Sequence, residues 1–284
     1  MRTPAEQFSP IGVFDSGIGG LSVLKEIVKN PSLSKYDYIY LGDNARAPYG
    51  TRSFETVYQY TLECIQKLFE MNCQLVILAC NTASAKALRT IQQLDLQKIA
   101  PGKRVLGVIR PTSEVVGTFS KTKHVGIVGT TGTINSDSYK IEIKKFFPDI
   151  QVFQEACPMW VPLVEYNEID TPGADYFIKK NIDSLFSKSD KIDTLILGCT
   201  HYPLLQAKIQ KFISKDVKII VQGEIVGDSL VDYLTRHPEI ESKCSRNGSI
   251  EFYTTDSTDN FDKVASRFWP SCEKESIHSK HLSL

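Results

Sequence analysis

Two stretches of this chain repeat each other, and each contains a cysteine at the same place: Leu75-Val-Ile-Leu-Ala-Cys80-Asn-Thr-Ala-Ser and Leu195-Ile-Leu-Gly-Cys199-Thr-His-Tyr-Pro-Leu. In both, a short apolar run stops at the cysteine, and residues of the helix N-cap type follow. Runs of that kind are buried parallel strands, apolar on both faces because helices cover both sides of the sheet. A second repeat lies upstream of each: Ile11-Gly-Val-Phe-Asp-Ser-Gly-Ile-Gly-Gly20 and Val125-Gly-Ile-Val-Gly-Thr-Thr-Gly-Thr133. Each glycine-rich turn precedes its cysteine by a similar distance. The chain therefore reads as two related α/β halves, each offering one thiol at the carboxyl end of a strand. Two thiols facing each other across a cleft suit two-base proton transfer.

Strands and helices alternate along the whole chain. Strands are predicted over 11–15, 37–42, 75–79, 104–109, 124–129, 150–154, 194–198 and 217–221. Helical patterns fall at 20–29, 53–71, 82–93, 135–146, 173–187 and 203–214. Such alternation marks parallel sheets covered by helices. The first half is expected to end near Val108, where Arg110-Pro-Thr reads as a break, and the second near Val221. Segment 222–284 carries a helix at 225–236, a strand-like piece at 249–253 and an amphipathic helix at 258–268, expected to pack back onto the first half. The domains are thus 1–109 with 222–284, and 110–221. Residues 271–282 are polar and are expected to fray.

Composition excludes several classes. With 284 residues and 42% hydrophobic side chains, the chain can bury full cores. Its 33 basic residues balance 33 acidic ones, and no basic stripe alternates with aromatics, so nucleic acid is not expected as a partner. No apolar stretch approaches a membrane span, and residues 1–10 lack the apolar core of a signal peptide, so the expected location is cytoplasmic. Seven cysteines without a CxxC pair argue for free thiols rather than a disulfide framework.

A cysteine at a strand end is most often inert packing. Cys80 and Cys199 differ because a helix start follows each, where backbone N–H groups can hold an anion. Cys64, Cys73, Cys157, Cys244 and Cys272 have no such context. Asp15-Ser16-Gly17 fits neither dinucleotide nor P-loop spacing; Asp15 is either a turn former or a cleft residue. His201, two residues beyond Cys199, is either a satisfied core histidine or a tuner of that thiol. Cys-x-His is not a usual metal-ligand spacing, so no metal is expected. Asp43 and Arg46 pair with each other, or their loop binds ligand at a strand's carboxyl end. No lysine motif for pyridoxal is assignable, and no cofactor is expected.

The segments FDSGIGGLSV, GDNARAPYG, ACNTASA, GTTGTI, VPLVE and GCTHYPLL, spread from residue 14 to 205, together resemble the glutamate racemases of the cofactor-independent aspartate/glutamate racemase superfamily. The resemblance implies two similar parallel-sheet α/β domains related by pseudo-two-fold symmetry, with the active site between them. It implies that Cys80 and Cys199 are the acid/base pair, Cys80 acting on D-glutamate and Cys199 on L-glutamate, assisted by Asp15, Glu165 and His201. Asp15-Ser16, Tyr49-Gly50, Asn81-Thr82 and Thr200-His201 would bind the substrate, glutamate. The implied role is supply of D-glutamate for peptidoglycan, with a cell-wall precursor as candidate effector and a homodimer as candidate assembly. Two features depart from the family pattern: Asn44 and Ala47 stand where Thr and Val are usual, and Arg110 follows the fourth strand. Aspartate and hydantoin racemases share the two thiols, but Asn81 and Thr200-His201 favour glutamate. A hydrolase using Cys199 with His201, or a binding module that leaves the α-proton in place, are the rivals from other classes.

Overall fold

Ten parallel strands divide into two sheets in this computed structural model, which describes residues 9–269 and 277–284. The strands are β1 Ile11–Asp15, β2 Tyr38–Gly42, β3 Leu75–Leu78, β4 Arg104–Gly107, β5 His124–Gly129, β6 Gln151–Ala156, β7 Thr194–Gly198, β8 Lys218–Ile220, β9 Ile250–Thr254 and β10 Ser279–His281. One sheet has the order β10-β9-β2-β1-β3-β4 and the other β6-β5-β7-β8. The run β2-β1-β3-β4 thus recurs as β6-β5-β7-β8. The sequence repeats map onto this recurrence, with β1 matching β5 and β3 matching β7.

The strands that carry the repeats are the most buried. Every residue of β1, β3 and β7 is inaccessible, as is β5 after His124. Helices on both faces remove these side chains from water, which is why their sequences show no polar alternation. One apolar cluster contains Val13 and Ile77 of the first sheet together with Val128 and Leu197 of the second. The two halves therefore share a core rather than merely touching.

Several expectations need correction. Arg110-Pro-Thr is not a break: Ile109–Val115 is helical, with Pro111 in its first turn, where a missing N–H costs no intrahelical bond. The strand before it stops at Gly107. The segment 82–93 is not one helix but Asn81–Lys86, Leu88–Thr90 and a π-type turn, Ile91–Asp95. The segment 135–146 divides into Thr131–Asn135 and Ser138–Phe146 at Asp137, which sits at φ 53°. Residues 203–214 form only short turns of helix. At the other end, Ser279–His281 is not frayed: it adds to β9 as a parallel edge strand, where one solvated side tolerates polar residues. Residues 271–276 of that tail, Cys272 among them, lie outside the described residues.

The chain crosses between sheets twice, after β4 and after β8. The second crossing begins with the helix Gln222–Arg236, which packs against the helix Leu21–Lys29, and β9 then pairs with β2. No described helix is long and apolar enough to cross a membrane. Ile127 is fully buried at the centre of β5. Ile127→Ala should therefore lower unfolding free energy by about 2–5 kcal/mol, read from the midpoint shift in urea at unchanged slope.

Candidate active site

In each sheet the winding direction reverses between two central strands, β1/β3 in one and β5/β7 in the other. Ligands of open parallel sheets bind outside the carboxyl ends of the strands at such points. Asp15 ends β1 and Cys80 follows β3; Thr130 follows β5 and Cys199 follows β7. The fold turns these two ends toward each other. Thr200 Oγ1 donates to Asp15 Oδ1 at 3.4 Å, and the Thr82 and Thr130 hydroxyls lie 2.8 Å apart. Gly132 N–H donates to the Gly50 carbonyl at 2.7 Å.

The two cysteines occupy different settings. Cys80 is the N-cap of Asn81–Lys86: its sulfur accepts from Ala83 N–H at 3.4 Å and lies 3.4 Å from Ser16 Oγ. It is only 5% exposed. Burial pushes this thiol up to about 12, and the charges of Asp15 and Cys199 add to the rise. Cys199 does not cap an α-helix. A turn at Thr200-His201 and a 3-10 segment, Tyr202–Leu205, follow it, and no side chain caps that segment. Its sulfur instead faces His201 Nδ1 at 3.9 Å.

His201 resolves its two readings together: it is a buried histidine and it is partnered at both nitrogens. Nε2 lies 3.0 Å from Glu165 Oε1. Burial alone would lower its pKa, but the contacts with Cys199 and Glu165 outweigh burial and hold it up to about 10. Phe268 sets its edge against the imidazole at 5.4 Å, and Arg267 Nη1 donates to the carbonyls of Val164 and Glu165. Asp15 is fully buried and raised by that burial; its Oδ2 accepts from Gly17 N–H, so it is a turn former as well as a cleft residue. Gly19 must lack a side chain, since a Cβ there would stand 2.4 Å from both His201 Nδ1 and Thr200 Oγ1.

Not every expected site residue turns its side chain to the cleft. The Tyr49 phenol is buried and donates to Asp43 Oδ2. Arg46 Nε donates to the same carboxylate at 2.7 Å, so Asp43 and Arg46 do pair. Tyr49-Gly50 thus meets the cleft through its backbone, with Gly50 against Thr130. Asn44, one of the departures from the family pattern, accepts from Thr254 Oγ1 at its own Oδ1. The Asn81 amide oxygen accepts from Tyr139, and its nitrogen donates to Gln222. Arg110, 67% exposed at its side chain, pairs with Glu114 away from the thiols. Thr130 and Thr133, unassigned from the sequence, stand beside Thr82. The repeat itself marked Thr130, because its segment pairs with Asp15-Ser16.

A family model described as "Asp/Glu/Hydantoin racemase" matches residues 11–224. A glutamate racemase of Sulfurihydrogenibium sp. is 40% identical over 96% of this chain and 98% of its own. The crystal structure of glutamate racemase isoform RacE1 from Bacillus anthracis superposes with TM-score 0.86 at 35% identity, covering 97% of this chain and 98% of that one. That of the Francisella tularensis glutamate racemase in complex with D-glutamate does so with TM-score 0.83 at 33% identity, covering 97% of each. The cleft between two parallel sheets and these likenesses agree: the chain belongs to the Asp/Glu/hydantoin racemase family, among its glutamate racemases.

Proposed function

We propose that Cys80 and Cys199 interconvert L- and D-glutamate by two-base proton transfer. The observation that carries this reading is that both thiols lie buried at facing switch points, close enough for the charge of one to act on the other. The α-proton of glutamate is very weakly acidic, so placement and hydrogen bonds to the developing charge must supply most of the help. Asp15 offers a carboxylate for the substrate's ammonium group. The hydroxyls of Ser16, Thr82 and Thr200, with backbone N–H groups of Gly50, Asn81 and His201, offer donors for its carboxylates.

The two settings divide the labour. His201, held protonated by Glu165 and Cys199, offsets negative charge on the Cys199 sulfur. Cys80 has no cation and stays a thiol at neutral pH. Toward L-glutamate we assign the acid's part to Cys80 and the base's part to Cys199, which stands beside His201. The enantiomers have equal free energy, so kcat/KM is the same in both directions; the asymmetry falls on kcat and KM separately.

In domain terms we assign 1–109 with 222–284 to one unit and 110–221 to the other, supported by the pairing of β9 with β2. The physiological role we assign is cytosolic supply of D-glutamate for peptidoglycan. The cell-wall precursor effector would be an anion, suited to the cleft of about 510 Å³ lined by Arg89, Arg110, Lys145 and Arg236 against Glu114 and Glu142.

Cys80→Ser and Cys199→Ser should each lower racemisation by about 10²–10⁴-fold, followed by loss of optical activity in D₂O with α-deuterium uptake. Normal turnover in Cys80→Ser with loss in Cys199→Ser would instead indicate a single nucleophilic thiol. The raised pKa of His201 contributes stability that is complete below about 6.5 and is lost as pH rises toward about 10. The melting temperature of the wild type should therefore fall more between pH 6.5 and 10 than that of His201→Asn. Parallel pH dependence in the two proteins would refute the charged His201–Glu165 contact.

A further inference from the structure

The two chain crossings meet in a closed ring of buried hydrogen bonds. Gln222, the first residue of the second crossing helix, is 4% exposed. The two protons of its Nε2 are shared among three acceptors, Tyr139 Oη at 2.7 Å, Thr112 Oγ1 at 2.9 Å and the Val108 carbonyl at 3.2 Å. Its Oε1 accepts from Asn81 Nδ2 at 2.8 Å, and Asn81 Oδ1 accepts from the Tyr139 hydroxyl at 2.6 Å. The directions are fixed by chemistry. The Val108 carbonyl can only accept, so the Gln222 nitrogen faces it; Gln222 oxygen then requires the Asn81 nitrogen, and the Asn81 oxygen requires the tyrosine proton.

The members sit on different segments of the chain. Asn81 follows Cys80 directly. The ring of Tyr139 packs on Gly198, the residue before Cys199, where a Cβ would come 3.2 Å from Tyr139 Cε2. Val108 and Thr112 belong to the first crossing, Gln222 to the second. The Gln222 amide oxygen and nitrogen are both engaged within this ring, and the residue is shielded from the cleft. Its effect on chemistry must therefore pass through what it holds.

We infer that Gln222 is a positioning residue that sets the separation of Cys80 and Cys199 by locking both crossings to the two thiol-bearing segments. This rests on the two-base reading above. A racemase of that kind must keep both sulfurs on opposite sides of one carbon, and a displacement of about 1 Å costs on the order of a hundredfold. Loosening the ring should leave either thiol able to take the proton while spoiling delivery from the other. The thiol that took the proton then exchanges it with solvent and returns deuterium to the same face more often.

The test compares two products in D₂O for the wild type, Gln222→Leu and Tyr139→Phe, the last keeping ring volume while opening the same ring. Inverted glutamate carrying α-deuterium reports racemisation; recovered glutamate of unchanged configuration carrying α-deuterium reports one-sided exchange. We expect kcat for inversion to fall roughly 10–100-fold in Gln222→Leu with KM little changed, and the ratio of one-sided exchange to inversion to rise about tenfold, with the same sign in Tyr139→Phe. Loss of folded protein would scale both products together. An unchanged ratio in Gln222→Leu, or in Tyr139→Phe should the first variant not fold, overturns the proposal. Absence of deuterium from inverted glutamate made by the wild type would instead refute the two-base reading itself.

Discussion

Parallel pairing of β1 with β3, and of β5 with β7, is the constraint on which the rest of the structure depends. Parallel neighbours need helical crossovers, and those crossovers bury both faces of each sheet. Only the strand ends are left to carry chemistry. Because both sheets use the same strand order, their switch points are equivalent, and the shared core turns one toward the other. Cys80 and Cys199 are thereby placed on facing segments, as the proposed two-base transfer requires.

The two ends are equivalent in topology but not in electrostatics. Cys80 accepts a backbone N–H and donates to the Ser16 hydroxyl oxygen, while burial and the buried Asp15 carboxylate work against its ionisation. Cys199 faces His201, whose pKa its contacts with Cys199 and Glu165 raise to about 10 against the effect of burial. Glu165 is itself held from the other half, since Arg267 binds the end of its helix and Phe268 closes the far side of His201. Arg267 and Phe268, just after the helix Thr258–Ala265, thus contact Glu165 and His201 while the strands on either side of them in the chain, β9 and β10, belong to the first sheet. The two halves repeat in strand order, but the groups around Cys80 and Cys199 differ.

Much of the site was legible because its residues follow the strand ends directly. Asp15, Cys80, Cys199 and His201 are all within three residues of a buried strand, and a switch point needs no long-range knowledge to locate once the strands are assigned. What failed to show was anything that depends on side-chain direction. Tyr49 looked like a cleft residue, yet its phenol turns into the first half to meet Asp43. Gln222 lay in an expected loop, because the apolar periodicity of its helix starts only at 225, and nothing local marks it as buried. Tyr139 reads as one more apolar position on a helix, whereas its hydroxyl closes a ring with Asn81 and Gln222.

The sequence by itself determined the duplication, the parallel α/β class and the pair of cysteines, since apolar runs, N-cap residues and glycine turns act over a few neighbouring residues. Helix boundaries were less secure for the same reason: Pro111 reads as a breaker until its place in a first turn is known. The tertiary structure alone decided which sheet edge the final segment joins, and that polar Ser279–His281 is a strand. It alone decided that Cys199 answers to His201 rather than to a helix start, and that Asn81 spends its amide on Gln222 and Tyr139. The Asn81 contacts depend on groups 58 and 141 residues apart being brought within hydrogen-bond distance, which no local pattern encodes.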